Sequence, residues 1–343
     1  MTSNVTMIMT CFLLLFLGLT VVSGVDHHDM PVQVFVLAGQ SNMVGMGSVE
    51  MLTKLVNNNM TRATYEHLVD DNNAWMTRDD VKVFFPEIQG DEPVPLSVGL
   101  GFTNERFGPE LEFGRILGDN YDGPTLIIKT AYNGKDMAVD FRPPTRGIGH
   151  STTWQQGGSK DLPEAPLPSE EYGKAYHKMT RTIHSALAGI EEGGWFEGYD
   201  TWELKGLVWW HGWNDHMYPK KLQEYEEGLK HLIRDVRHDL NTPELPVVIG
   251  EMGQNGIHPL GPAESKTVEM RRIQRAVAHA DEFRDLTRFV MTSAYYIEGG
   301  ETYDGNYHYN GRADTFCQVG KAFGQTMVQL LEDYAHMATG SAD

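Results

Sequence analysis

Apolar positions along this chain fall into short dense runs, separated by longer segments in which they recur every three or four residues. The densest short run is Val32 to Leu37, closed by Gly39. A run so short and so rich in β-branched residues predicts a strand buried on both faces. Val81 to Phe85, Thr125 to Ala131, Gly206 to Trp210, Pro246 to Gly250 and Phe289 to Tyr296 read the same way. Helical periodicity fills the intervals at 109–117, 170–190, 220–240, 265–283 and 315–334. Strands alternating with helices predict a parallel sheet covered on both faces. The expected fold class is therefore α/β: three layers, α/β/α, around a doubly wound, mostly parallel sheet of five or six strands.

Polar residues cluster where these strands end. The first strand runs into Gly39-Gln40-Ser41-Asn42, the third into Tyr132-Asn133-Gly134-Lys135, and the fourth into His211-Gly212-Trp213-Asn214-Asp215-His216. After the last strand comes Asp304-Gly305-Asn306-Tyr307-His308. Ligands of open α/β sheets bind at the carboxyl ends of the strands. An acyl-transfer serine needs a base, a group to orient that base, and donors aimed at the oxyanion. These strand ends supply a serine, histidines, carboxylates, a glycine and an asparagine. Ser41 could alternatively be an ordinary helix N-cap. Trp209 and Trp210 read as core packing and Asp215 as a brace of its turn.

Two segments interrupt the alternation. Gly134 to Ser169 carries five prolines and holds Phe141, Arg142, His150, Trp154 and Gln155. An insertion of that length (about 135–169) after a strong strand predicts a substrate-shaping loop. Asn57 to Asp80 is a second, more polar insertion.

Residues 1–24 carry no charge, and Met7 to Val22 is nearly all apolar. That run is shorter than the roughly 20 residues needed to span a bilayer. With Val22-Ser23-Gly24 behind it, it predicts a signal peptide, a secreted or periplasmic protein, and no membrane contact in the mature form. Residues 25–343 are expected to form one domain. The formal charge of −19 disfavours nucleic acid as a partner. Once Cys11 leaves with the signal, Cys317 stands alone, so no internal disulfide is expected. Asn59-Met60-Thr61 is a glycosylation sequon. The G-x-S-x-G elbow of α/β-hydrolases is missing, since Met43 stands two residues after Ser41. No metal site is expected, for want of H-E-x-x-H or similar spacing, and no cofactor, since Gly99-Leu100-Gly101 does not fit a dinucleotide loop.

Gly39-Gln40-Ser41-Asn42-Met43, then Gly212-Trp213-Asn214-Asp215, then Asp304 and His308 before a final helix, resemble the SGNH (GDSL-like) hydrolase superfamily. More narrowly they are similar to its sialate O-acetylesterase-like branch, which includes carbohydrate esterase family six. The resemblance runs from about Val32 to the final helix and implies the flavodoxin-like SGNH fold. It implies Ser41 as nucleophile, His308 as general base and Asp304 as the carboxylate that orients it. Oxyanion donors would be the N–H groups of Ser41 and Gly134 and the side chain of Asn214. This sequence has His211 where the branch usually has glutamine, so the side-chain donor could be His211, Asn214 or both. Asp304 and His308 stand one residue further apart than D-x-x-H, leaving Glu298, Glu301 or a bare Ser–His dyad as alternatives. Gln40, Trp213 and Trp154 are the expected substrate contacts. The implied activity is a cofactor-free serine esterase acting on an acetylated carbohydrate through an acetyl-enzyme. An esterase for other small esters, or a carbohydrate-binding protein that has lost activity on this fold, are the rivals.

Overall fold

The run at Val32 becomes the central strand of a seven-stranded sheet. A computed structural model describes residues 30–149, 169–259, 264–299 and 305–340. The expected signal peptide, His150, Trp154, Gln155, Glu301 and Asp304 lie outside the described residues.

In chain order the elements are β1 (Val32–Gly39), α1 (Ser41–Val44), β2 (Gly47–Ser48), α2 (Val49–Asn57), α3 (Arg62–Tyr65), β3 (Arg78–Phe84), β4 (Val94–Leu96) and β5 (Arg106–Phe107). They continue with α4 (Glu110–Asn120), β6 (Thr125–Ala131), α5 (Lys174–Glu191), β7 (Trp202–Trp210), α6 (Trp213–His216) and α7 (Pro219–Asp239). The last four are β8 (Val247–Gly250), α8 (Glu264–Ala278), β9 (Thr287–Val290) and α9 (Ala313–Thr339). The sheet order is β4-β3-β6-β1-β7-β8-β9. All neighbours are parallel except β4, which pairs antiparallel with β3 at the edge. The chain lays β3 and β6 on one side of β1, then β7, β8 and β9 on the other. The carboxyl end of β1 thus sits where the direction of winding changes, the usual place for a ligand site.

Successive residues of a strand face opposite ways, and β1 is buried on both sides. Val34, Val36 and Ala38 join one core with Tyr176 and Met179 of α5, Tyr225 and Leu229 of α7, and Met270 of α8. Phe35 and Leu37 join the other with Phe113 of α4 and Phe316, Phe323 and Met327 of α9. The two cores make the three expected layers. Trp209 and Trp210 divide between them, both buried.

Six of the seven strands match the six apolar runs. The seventh, β4, is three residues long and contains Pro95, too short for any periodicity to mark it. The last strand stops at Val290, and Thr292–Tyr295 forms a 3-10 turn instead of prolonging it. The insertion after β6 is also less loop-like than expected. Met137 and Phe141 are core residues, and Phe141 lies edge-on to Trp209 with ring centroids 5.0 Å apart.

Candidate active site

β1 closes on Gly39, whose φ is +153°. A Cβ there would come within 2.1 Å of the Trp210 carbonyl on β7. Only glycine lets the two strands stay this close while the chain turns out of the sheet. The turn leads into α1, a single helical turn that starts at Ser41 and leaves it partly exposed above the sheet.

Gln40, one residue earlier, is 3% exposed. Its Oε1 accepts from the backbone N–H groups of Gly212 at 3.0 Å and Trp213 at 2.7 Å. Its Nε2 donates to the Lys135 carbonyl and to Asn214 Oδ1, both at 3.0 Å. One side chain therefore ties together the ends of β1, β6 and β7. Gln40 was expected to contact substrate; in the structure both ends of its amide are bonded inside the protein.

Asn214 stands on α6, directly after β7. Its Nδ2 donates to the Gly134 carbonyl at 2.9 Å. An amide nitrogen carries two hydrogens, and this bond uses one. Gly134, with φ +70°, is exposed, and a Cβ there would meet nothing within 4 Å. Its conformation rather than crowding calls for glycine. Asn214 and Gly134 are thus brought together beside the turn that carries Ser41.

His211, the other candidate for the side-chain donor, lies deeper. Its ring is buried, stacked between Trp209 (4.7 Å, 25°) and Tyr225 (5.7 Å, 17°). Nε2 lies 3.0 Å from the Lys135 carbonyl and must donate to it. Nδ1 lies 3.2 Å from the Tyr225 hydroxyl, which can only donate to it once Nε2 holds the single proton. Burial depresses the pKa of this ring to about 4, so the neutral form fits the site. His211 holds the Lys135 carbonyl from one side while Gln40 holds it from another.

Asp215 is fully buried and, rather than bracing its own turn as expected, braces the chain after β6. It accepts from the backbone N–H of Met137 at 3.0 and 3.1 Å and from that of Ala138 at 3.1 Å. Burial, and then the Asp136 carboxylate, push its pKa well above the usual range.

His308 lies in a 3-10 turn, Asn306–Gly311, that breaks helical geometry at His308, Tyr309 and Asn310. Its backbone N–H donates to the Gly305 carbonyl at 3.2 Å, and its ring lies 4.4 Å from that of Tyr307. Tyr309 holds a left-handed φ of +53°. A buried ring and a hydroxyl that accepts from Gly253 N–H at 3.0 Å keep it there. Two buried amides, Asn42 Nδ2 and Gln254 Nε2, each donate to the Tyr307 carbonyl at 3.0 Å. Trp213 borders the same turn, 5.9 Å from the Tyr307 ring. Glu298 is exposed.

Asn42 and Gln254, which hold the turn that carries His308, were not singled out from the sequence. Both follow a strand end, β1 and β8, so the rule that located Ser41 also covered them. Gln254 is held in turn by Arg271 of α8, which donates to the carbonyls of Met252, Gln254 and Gly256, each at 2.8 Å. Among the described residues, no group of three or more His, Cys, Asp or Glu side chains could hold a metal ion.

Comparison with known proteins bears on the fold and the family. A probable carbohydrate esterase of Arabidopsis thaliana, At4g34215, is 24% identical over 243 residues, covering 67% of this chain and 75% of the relative. Its solved structure superposes with a TM-score of 0.52 at 16% identity, over 88% of this chain and 99% of that one. The structure of NanS gives the same TM-score at 13% identity, over 88% of this chain and 98% of its own. The model of the family described as carbohydrate esterase, sialic acid-specific acetylesterase, matches residues 31–329, from the start of β1 well into α9. The fold, the strand-end site and this match together place the chain in that carbohydrate acetylesterase family.

Proposed function

We propose that the protein is an exported serine esterase that removes O-acetyl groups from a carbohydrate. The observation that carries the reading is the lacing of the site. The Ser41 turn, the Gly134 loop, Asn214 and the His308 turn come from four separate strand ends, and Gln40 and Asn42 bond them into one unit.

In this reading Ser41 Oγ attacks the ester carbonyl while His308 takes its proton. The tetrahedral oxyanion is met by the N–H groups of Ser41 and Gly134 and by the second amide hydrogen of Asn214. Collapse expels the sugar oxygen, which takes the proton back from His308, and leaves an acetyl-enzyme. A water activated by His308 then releases acetate. Asp304 orients the imidazole. Trp213, beside the His308 turn, forms part of the sugar contact, and Trp154 is assigned the same role on sequence grounds alone. Export rests on the predicted signal peptide at 1–24. Among the described residues no helix is long and apolar enough to cross a membrane.

Hydrolysis of an acetylated sugar by the wild-type protein and by Ser41→Ala tests the reading. Acetate release that disappears in a folded Ser41→Ala protein is the expected result. Release close to the wild-type rate in Ser41→Ala would overturn it. No release from either would favour the carbohydrate-binding rival. Asp304→Asn should lower turnover by a large factor with little change in KM.

A further inference from the structure

A cleft of about 360 Å³ opens between the end of α1 and the Gly134 loop. That volume falls in the range of small-molecule sites. Val44, Phe85, Phe102 and Tyr132 line it, and Asn133 and Lys135, the two neighbours of Gly134, stand at one edge. Helical rise puts Val44 only about 4.5 Å along the axis from Ser41. One wall of the cleft thus lies a single helical turn from Ser41, which does not itself line it.

Its walls differ in character. Phe85 is fully buried, whereas Phe102 is 48% exposed. A single exposed ring is ordinary on a protein surface, but the backbone that carries this one is tightly held. Phe102 N–H donates to the Gly45 carbonyl at 2.9 Å. Gly101 before it packs so tightly that a Cβ would come within 2.7 Å of the Gly45 carbonyl and of the Arg106 backbone. Lys129 Nζ binds both the Leu100 carbonyl at 2.9 Å and the Val44 carbonyl at 2.8 Å. The backbone that carries the ring is thus fixed to the segment that follows Ser41. The polar side of the cleft carries the exposed amide of Asn133 and the Glu87–Lys178 ion pair, whose ammonium lies 5.0 Å from the Tyr132 ring centre.

A cleft whose lining combines aromatic rings with a carboxylate, an ammonium and an amide suits a molecule with one C–H face and a rim of hydroxyls. We propose that this cleft is a sugar subsite: a pyranose ring stacks on Phe102, and its hydroxyls bond to Asn133, Glu87 and Lys178. An acyl chain would want walls that are apolar throughout. The inference rests on the serine-esterase reading and assigns the alcohol side of the ester to the cleft.

The test compares an acetylated methyl glucopyranoside with ethyl acetate, which offers the same acyl group on an alcohol without a ring. Phe102→Ala should raise KM for the glycoside about tenfold, leave ethyl acetate turnover within twofold of wild type, and be rescued by Phe102→Tyr. Equal loss on both esters, or loss on neither, would overturn the proposal. So would a shift in preference between acetyl and butyryl esters of one alcohol, which would place the acyl group in the cleft. If wild type and Ser41→Ala proved equally inactive, the esterase reading alone would fail. Binding of methyl glucopyranoside, followed by saturation-transfer NMR, would then decide the cleft: a signal abolished by Phe102→Ala supports it, and one unchanged by the substitution removes it.

Discussion

The amide of Asn42 donates to the carbonyl of Tyr307 at 3.0 Å, joining the residue after Ser41 to the residue before His308 across 265 positions of sequence. Gln254 donates to the same carbonyl, also at 3.0 Å. Two donors on one acceptor mean that either can hold the turn when the other is removed. Asn42→Ala and Gln254→Ala should each lower kcat about tenfold, with KM little changed, because small displacements of a base from its nucleophile are costly. The double variant should lose more than the product of the two single effects. A double variant equal to that product would show that the two bonds act separately and do not share the task of placing His308.

Gln40 makes four hydrogen bonds from a buried position. Its loss would strand the backbone N–H groups of Gly212 and Trp213 and leave the Lys135 carbonyl with its His211 bond alone. Gln40→Ala should therefore lower the free energy of unfolding by about 3 kcal/mol, the cost of two or more unsatisfied buried groups. Urea unfolding at an unchanged m-value would measure it. A loss below about 1 kcal/mol would mean that the strand ends are held without this side chain.

The parts of this fold legible in the sequence are those where one residue type dictates one conformation. β1 and β6 are short runs dominated by β-branched and apolar residues, interrupted by Gln33 and Lys129, and such runs favour a buried strand. The position of Ser41 followed from β1, because a polar turn after a central strand can only emerge at the carboxyl edge. What escaped was decided by partners distant in sequence. Tyr295 and Tyr296 look like a strand continuing from Val290, yet they pack against the core beside α9 from a 3-10 turn. His211 sits where its family branch usually has an amide, and nothing local reveals that Trp209, Tyr225 and Phe141 close around it. Likewise Gln40 looks like a substrate ligand until the loops after β6 and β7 arrive to consume its hydrogen bonds.

His211 makes stability depend on acidity. Its pKa falls from 6.5 in the unfolded chain to about 4 in the folded one, through burial. Above pH 6.5 the ring is neutral in both states and contributes no slope. Between pH 6.5 and 4 the unfolded chain takes up a proton that the folded ring refuses, so stability is lost on acidification. Below pH 4 both states are protonated and the slope ends. The full effect is about 3 kcal/mol. His211→Gln cannot titrate. It should be less stable than wild type at pH 7, where stacking is lost, and the gap should narrow as pH falls to 4. A gap constant across that window would show that the ring does not resist protonation.

Lys129 and Glu110 form a fully buried ion pair at 2.8 Å beneath the Ser41 turn. The ammonium spends its three hydrogens on Glu110 and on the carbonyls of Val44 and Leu100. Glu110 takes the Gly108 N–H at 2.7 Å with its other oxygen. Burying two charges is expensive, and a well-packed apolar pair is often as stable. The pair must therefore be judged by what it positions, and Val44 is the last residue of the helix that Ser41 begins. Lys129→Met leaves Glu110 uncompensated and should cost about 3–5 kcal/mol. Adding Glu110→Gln removes the stranded charge and should recover much of that stability. Activity should not recover with it, because the Val44 carbonyl would still lack its anchor and the Ser41 turn would be free to shift. Thermal unfolding and acetate release, measured on both variants at a temperature where each is folded, separate the two effects. If activity returned in step with stability, the ion pair would act on the fold alone and have no part in placing Ser41.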